Sequence, residues 1–328
     1  MRKLNETPSG TGDSVSNWKT SIEQGEYRRK DSRFREWISP DSGRFKAEAG
    51  RYHLFVSLAC PWAHRTLIFR QLKQLGNMVS VSVVHPDMLE NGWSFSHNED
   101  SASAYGTTGD TLNGCAYLRE YYLASEANYA STVSVPVLWD KHENCIVNNE
   151  SSEIIRMFNS AFDHLSGNRD NYYPADLRTE IDEVNSLVYS TINNGVYKTG
   201  FATTQEAYTR HCSDLFDALG EMDQRLSKQR YLAGNRITEA DWRLFTTLVR
   251  FDAVYHTHFK CNVRQLREYP SLHNYTLELY QYPGIEQTVH MPHIKRHYYA
   301  SHQSLNPYGI VPLGPEQDWN ASHRRYLL

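Results

Sequence analysis

Leu58-Ala59-Cys60-Pro61-Trp62-Ala63-His64-Arg65 places a cysteine where an apolar strand gives way to a helix. Upstream, 51–58 carries Tyr52, Leu54, Phe55, Val56 and Leu58, a short strand pattern. Downstream, 61–75 has Trp62, Leu67, Ile68, Leu72 and Leu75 near helical spacing, with Gly76 as a stop. Pro61 suits the first helical position, where its missing N–H costs nothing. Cys60 therefore falls near the N-cap, and its sulfur is expected to face first-turn N–H groups and the positive end of the helix dipole. Both favour thiolate over thiol. An ordinary cysteine is a few per cent ionised near pH 7. Each pKa unit removed stabilises the anion by about 1.4 kcal/mol.

Three residues on, a dithiol oxidoreductase carries a second cysteine; this chain has Ala63. Cys60 lacks a neighbouring thiol to resolve a mixed disulfide, so the second thiol has to come from outside. Glutathione is the abundant candidate. A buried structural cysteine at a helix start is the bland alternative, and the strand–Cys-Pro–helix context argues against it.

The chain has 328 residues, above the roughly 150 typical of one domain, so two domains are expected. An apolar share of 40% and a charged share of 22% describe an ordinary soluble globular protein, and a formal net charge of −4 offers no basic footprint for nucleic acid or anionic membrane. No apolar run approaches the ~18 residues of a membrane span. The segment 1–17 is polar and lacks the apolar core of a signal peptide. Five cysteines without paired spacing indicate reduced thiols in a cytosol rather than a disulfide framework.

Residues 1–49 read as a polar arm broken by Gly, Ser and Pro, with one aromatic segment at Phe34 and Trp37. After strand 51–58 and helix 61–75, a strand at 79–84 completes a βαβ unit. The stretch 85–130 is long for a connection and reads as a functional insertion with one helix near 113–124. A strand at 133–140, a turn at 141–144 and a partner strand at 145–147 form a hairpin, and a helix comes next over 150–158. The order β-α-β, β-β-α is that of a thioredoxin-like domain over 50–165. From 175 to 305 the chain reads all-helical, with helices at 176–193, 204–227, 239–254, 264–267, 271–282 and 284–290. The tail 306–328 reads as irregular.

Pro136 lies inside an apolar strand, where a trans proline would remove a ladder bond. A cis Val135–Pro136 bond at the strand's start resolves this. In thioredoxin-like folds such a proline faces the nucleophilic cysteine, and the residue before it offers N–H and C=O groups to an extended peptide. Glu150-Ser151 at a helix start suits the two ends of a γ-glutamyl group: Glu150 an ammonium, Ser151 and the helix N–H groups a carboxylate. Thr238-Glu239-Ala240-Asp241 is a capping box ahead of an apolar run. His256, His258 and Cys261 mimic a zinc motif, but no well-spaced fourth ligand accompanies them, and no metal site is expected. Cys115, Cys145, Cys212 and Cys261 read as packing residues; His64, one turn beyond Cys60, is in reach of the thiolate but reads rather as a helix-surface or inter-domain residue. Arg65 adds positive potential near glutathione or serves as a bridge between domains.

Together, Cys60-Pro61-Trp62-Ala63-His64-Arg65-Thr66, Glu90-Asn91-Gly92-Trp93, Val135-Pro136-Val137-Leu138-Trp139-Asp140, Asn149-Glu150-Ser151, Asn193-Asn194-Gly195-Val196-Tyr197 and Thr238-Glu239-Ala240-Asp241 resemble the glutathionyl-hydroquinone reductases, also called xi-class glutathione transferases. The resemblance runs from about 33 to 314. It implies a thioredoxin-like N-terminal domain, an all-helical C-terminal domain and a cytoplasmic homodimer with no permanently bound cofactor. It also implies glutathione as co-substrate and a glutathionyl-hydroquinone as the other substrate. By motif, Cys60 is the nucleophile; Trp93, Thr132, Val133, Ser134, Val135, Glu150 and Ser151 hold glutathione. Tyr197 is the proton donor, and Tyr255 and Tyr298 help to stabilise the thiolate. An omega-like glutathione-dependent thiol transferase or dehydroascorbate reductase shares Cys60 and Pro136, but does not call for the insertion with Trp93 or the three tyrosines. A non-catalytic scaffold would not require an intact Cys60-Pro61.

Overall fold

The computed structural model describes residues 22–328; the earlier part of the expected arm, 1–21, lies outside the described residues. In chain order the elements are β1 (Ile22–Glu23), β2 (Glu26–Tyr27), β3 (Tyr52–Val56), α1 (Pro61–Leu72), β4 (Val79–Val83), α2 (Glu99–Tyr105), α3 (Arg119–Ser125), β5 (Val137–Asp140), β6 (Cys145–Asn148), α4 (Ser151–Ser160), α5 (Asp163–Ser166), α6 (Arg178–Val188), α7 (Gly195–Gly200), α8 (Gln205–Leu226), α9 (Glu239–Arg250), α10 (His256–His258), α11 (Pro270–Tyr280) and α12 (Met291–Ser301). Among the described residues no helix is long and apolar enough to cross a membrane.

Two compact units emerge. The first contains 30–170 and 288–310; the second contains 22–29, 171–287 and 311–328. The first holds a four-stranded mixed sheet ordered β4-β3-β5-β6. β3 and β4 are parallel, with Leu54 opposite Val81; β3 and β5, and β5 and β6, are antiparallel. Every residue of β3 is buried, as expected of a central strand covered on both faces. His53 is tolerated there because its two ring nitrogens bond the hydroxyls of Ser80 (2.7 Å) and Ser82 (2.9 Å). The α1 and α4 helices pack against each other. This is the thioredoxin-like order.

Several elements differ from the sequence expectation. The helix expected near 113–124 begins at Arg119, because Asp110 accepts the N–H groups of Leu112, Asn113 and Cys115, and Glu120 takes those of Ala116 and Tyr117. Such side-chain acceptors hold the preceding chain in turns. α2 was not foreseen; a reciprocal cap between Asn98 and Ser101 starts it, and Gly106, at φ +66°, stops it. The strand expected over 133–140 pairs only from Val137. Upstream of it the Val135–Pro136 bond is cis, as expected. The helix expected over 284–290 is one 3₁₀ turn at Glu286–Thr288, and the true helix is α12, with Pro292 in its first turn. Residues 288–310, read from the sequence as the end of the helical segment 175–305 and the start of the tail 306–328, lie in the first unit, where His293 bonds both Ser57 and Tyr105.

The second unit is mainly helical, with the β1–β2 hairpin at one end of its chain and the irregular tail 311–328 at the other. All of α9 is buried, and its Asp241 carboxylate is satisfied by several donors. Asp241 accepts from the N–H groups of Thr238 (2.7 Å) and Leu232 (2.9 Å) and from the Tyr275 hydroxyl (2.7 Å). The continuous helices expected over 176–193 and 239–254 are each broken by a π-helical turn, at Tyr189–Asn193 and Phe251–Tyr255. Such turns redirect the side chains beyond them and are frequent at functional sites. Gly200 is required where it stands, since a Cβ there would lie 2.2 Å from Cγ of Phe259. The expected irregular tail is anchored: buried Arg325 donates to the carbonyls of Leu226 (2.6 Å) and Gln229 (2.8 Å).

Candidate functional site

Cys60 is the N-cap of α1, and Pro61 comes next, inside the first turn. Its backbone is clamped on both sides: the Cys60 N–H donates to Ser57 O (3.2 Å), and Cys60 O accepts from His64 N–H (2.9 Å). The thiol is half-buried and in no disulfide. The expected cap contact between sulfur and first-turn N–H groups is not made. Sγ lies instead 3.5 Å from Val135 O, placed so that the thiol donates to the carbonyl. The residue before the cis-proline thus meets the cysteine directly.

The segment that bears Val135 is held from behind by Tyr122, a fully buried residue of α3. The Tyr122 hydroxyl donates to Ser134 O (2.8 Å) and accepts from Ser134 N–H (3.2 Å) and from the Asn149 side-chain amide (3.2 Å). Burial raises the Tyr122 pKa, so the phenol remains protonated. Thr132 O accepts from the Tyr129 hydroxyl (2.7 Å). Val133 and Val135 are buried, Ser134 half-buried and Thr132 exposed.

Glu150 caps α4, and Ser151 is its first residue. Glu150 Oε1 accepts from Ser152 N–H (3.0 Å) and the Ser152 hydroxyl (2.8 Å), and Oε2 accepts from the Ser32 hydroxyl (3.0 Å). Burial alone would raise the Glu150 pKa; the two Ser152 bonds, the Arg65 charge and the Ser32 hydroxyl outweigh it and hold the carboxyl below its usual range. Glu150 is therefore an anion at neutral pH. Arg65 is buried, with its guanidinium carbon 4.8 Å from the Trp62 ring. His64 is not at the helix surface: it is fully buried, and Nε2 is 2.8 Å from the Thr288 hydroxyl.

α12 contributes to the same unit. Trp93 stacks on His297 at 5.0 Å, and His297 meets the Tyr298 ring at 5.3 Å. His293 Nδ1 lies 2.8 Å from Tyr105 O, so that nitrogen carries the proton, and Nε2, 3.2 Å from the Ser57 hydroxyl, is the acceptor. Ser57 Oγ in turn accepts the Ala59 N–H (3.3 Å). Burial lowers the His293 pKa to about 3, which keeps this link neutral. It steadies the turn ahead of Cys60. Neither His293 nor Tyr122 announced itself in the sequence, since an isolated histidine or tyrosine carries no spacing signal.

Tyr197 and Tyr255 belong to the second unit. Tyr197 sits in α7, and Tyr255 ends the π turn before α10; their rings are 6.1 Å apart, and both pack on Phe259 (5.4 and 5.6 Å). Cys261, a member of the apparent zinc motif, is buried with its thiol toward Val196 O and Phe259 O. Burial raises the pKa values of Cys115, Cys145, Cys212 and Cys261, as suits packing residues.

The chain matches the family described as glutathione S-transferase, N-terminal domain, over residues 59–161, and the corresponding C-terminal domain over 205–277. It is 52% identical over 308 residues to glutathionyl-hydroquinone reductase YqjG of Escherichia coli, covering 92% of each chain. It is 50% identical to glutathionyl-hydroquinone reductase PcpF of Sphingobium chlorophenolicum, covering 91% of this chain and 92% of that one. The glutathione-bound structure of YqjG superposes with a TM-score of 0.87 at 51% identity, covering 90% of this chain and 96% of that chain. A xi-class transferase from Natrialba magadii does so with a TM-score of 0.87 at 50% identity, covering 90% and 89%.

Proposed function

The chain belongs to the glutathionyl-hydroquinone reductases, the xi class of glutathione transferases, and on that premise we propose which of its residues perform the reaction. The protein is an enzyme that reduces glutathionyl-hydroquinones to hydroquinones at the expense of glutathione. Glutathione is its co-substrate, and we assign it no permanently bound cofactor.

In our reading the Cys60 thiolate attacks the glutathionyl sulfur of the conjugate. A Cys60–S–S–glutathione bond forms and the carbon–sulfur bond breaks. Expulsion of a free aryl carbanion would be prohibitive, so the Tyr197 phenol first protonates the sulfur-bearing carbon while the ring hydroxyl gives its proton to solvent; the electron pair of the broken bond then passes through this keto tautomer to its carbonyl oxygen, which takes up a proton and restores the hydroquinone. A second glutathione, as thiolate, then attacks the glutathionyl sulfur of the mixed disulfide. It releases glutathione disulfide and returns Cys60 as thiolate. Tyr197 regains its proton from solvent. The helix N-terminus and the Tyr255 and Tyr298 phenols stabilise the thiolate. Trp93, the segment Thr132-Val133-Ser134-Val135, Glu150 and Ser151 hold glutathione, with anionic Glu150 toward the γ-glutamyl ammonium. We place the reaction in the cytoplasm and the chain in a homodimer, as the family pattern implies.

The observation that carries this assignment is the Cys60 thiol beside Val135 O at the start of α1, with Ala63 where an internal resolving thiol would stand. Its test is mass spectrometry after one turnover of a glutathionyl-hydroquinone without free glutathione. Cys60 should gain one glutathionyl group and the hydroquinone should appear in equal amount. Product formed without that adduct would overturn the assignment.

A further inference from the structure

The β1–β2 hairpin turns at Gln24-Gly25, both with positive φ (+51° and +85°). It is tied down at several points. Gly25 O accepts the Thr203 N–H (3.0 Å), and a Cβ on Gly25 would meet Thr204 Cγ2 at 2.7 Å, so only glycine permits this approach. Glu26 pairs with Arg210 of α8. So anchored, the hairpin lays the Tyr27 ring on Tyr197 (6.2 Å between centroids, 29° between planes) and against Phe201 (5.5 Å). Two residues later, Arg29 Nε donates to Asn194 Oδ1 (2.8 Å), and its guanidinium carbon lies 5.0 Å from the Tyr197 ring centroid and 5.5 Å from that of Tyr27.

We propose that Arg29 is a positioning residue for the reaction: clipped to Asn194 and lying against the Tyr197 ring, it holds that phenol in place and assists it as it gives up its proton. The idea rests on the assignment of Tyr197 as proton donor and adds a segment to which no role had been attached. A cation beside an aromatic ring is attracted to its π density. When the phenol loses its proton, negative charge spreads into the ring and the attraction grows. The interaction is therefore stronger in the transition state than in the resting enzyme, which is the condition for it to accelerate the step. Asn194 gains a purpose too, as the fixed acceptor that determines where the guanidinium sits.

The test uses the full chain and two substrates. A glutathionyl-menadione hydroquinone needs a proton on carbon; the mixed disulfide of glutathione with mercaptoethanol needs Cys60 but no such proton. Arg29→Gln should lower kcat on the conjugate about tenfold with KM changed less than about twofold. It should also move the phenol-dependent limb of the pH profile toward higher pH, while disulfide turnover changes far less. Arg29→Lys should restore part of the loss. Equal losses on both substrates would mark a merely structural contact and overturn the inference. Full conjugate turnover in Arg29→Gln, with Tyr197→Phe inactive, would overturn it while leaving the proton donor in place. Full conjugate turnover in Tyr197→Phe would remove the donor assignment and the inference together.

Discussion

Cys60 and Ala63 are one helical turn apart, and the difference between them sets the chemistry. In the reaction we propose, a thiol at position 63 would close the mixed disulfide internally, whereas a methyl group leaves resolution to a second glutathione. The other four cysteines share one trait. Burial pushes Cys115 to about 12 and raises Cys145, Cys212 and Cys261 as well. Since only the thiolate is alkylated, iodoacetamide at pH 7 should label Cys60 selectively. Peptide mapping should find one carbamidomethyl group per chain, and that label should abolish conjugate turnover. Labelling spread evenly over several cysteines, or full turnover by the Cys60-alkylated chain, would contradict the role assigned here.

At the scale of elements, the segment Thr132-Val133-Ser134-Val135, which we propose holds glutathione, depends on a helix that does not itself belong to it. Tyr122 of α3 satisfies the C=O and N–H of Ser134 and the amide of Asn149 with a single hydroxyl. Tyr122→Phe would strip these groups of their partner, and each unsatisfied buried group costs about 1–3 kcal/mol. The expected result is a KM for glutathione raised about tenfold with kcat at saturating glutathione within about threefold. Steady-state kinetics against glutathione checks it, and an unchanged KM would disprove the pinning role. The two π turns also shape the second unit: one precedes Gly195–Gly200, and the other ends at Tyr255 ahead of α10. A 3.6-residue periodicity, unbroken on paper, carries no trace of them.

At the scale of the molecule, burial has left two histidines neutral inside the first unit. It lowers His53 to about 4 and His293 to about 3. Both folded values lie below the ordinary value near 6.5, so the unfolded chain binds the protons first. Their contribution to stability is complete above pH 6.5. It is lost at about 1 kcal/mol per pH unit for each as pH falls from there toward 4, with His293 continuing toward 3. Urea unfolding at pH 7, 6 and 5 should show the wild-type chain losing stability faster than a His53→Gln, His293→Gln variant. Parallel curves would show that neither histidine is buried neutral.

The strand–Cys-Pro–helix run, the cis-proline, the α4 start at Glu150-Ser151 and the box at Thr238–Asp241 were all legible in the chain. Each is a local pattern whose physics acts within a few residues: caps, fixed proline geometry, strand alternation. The order of elements built from them sufficed for the thioredoxin-like domain and placed Cys60 at the start of its first helix. What only the tertiary structure decided are contacts between residues far apart in sequence: His293 on Ser57, Tyr122 behind Ser134, Trp93 stacked on His297, Arg29 against Tyr197. It also moved the last long helix to Met291–Ser301 and gave Cys60 sulfur a carbonyl neighbour in place of a cap. These depend on which buried polar group finds which partner once the chain is folded, and no spacing along the sequence encodes that choice.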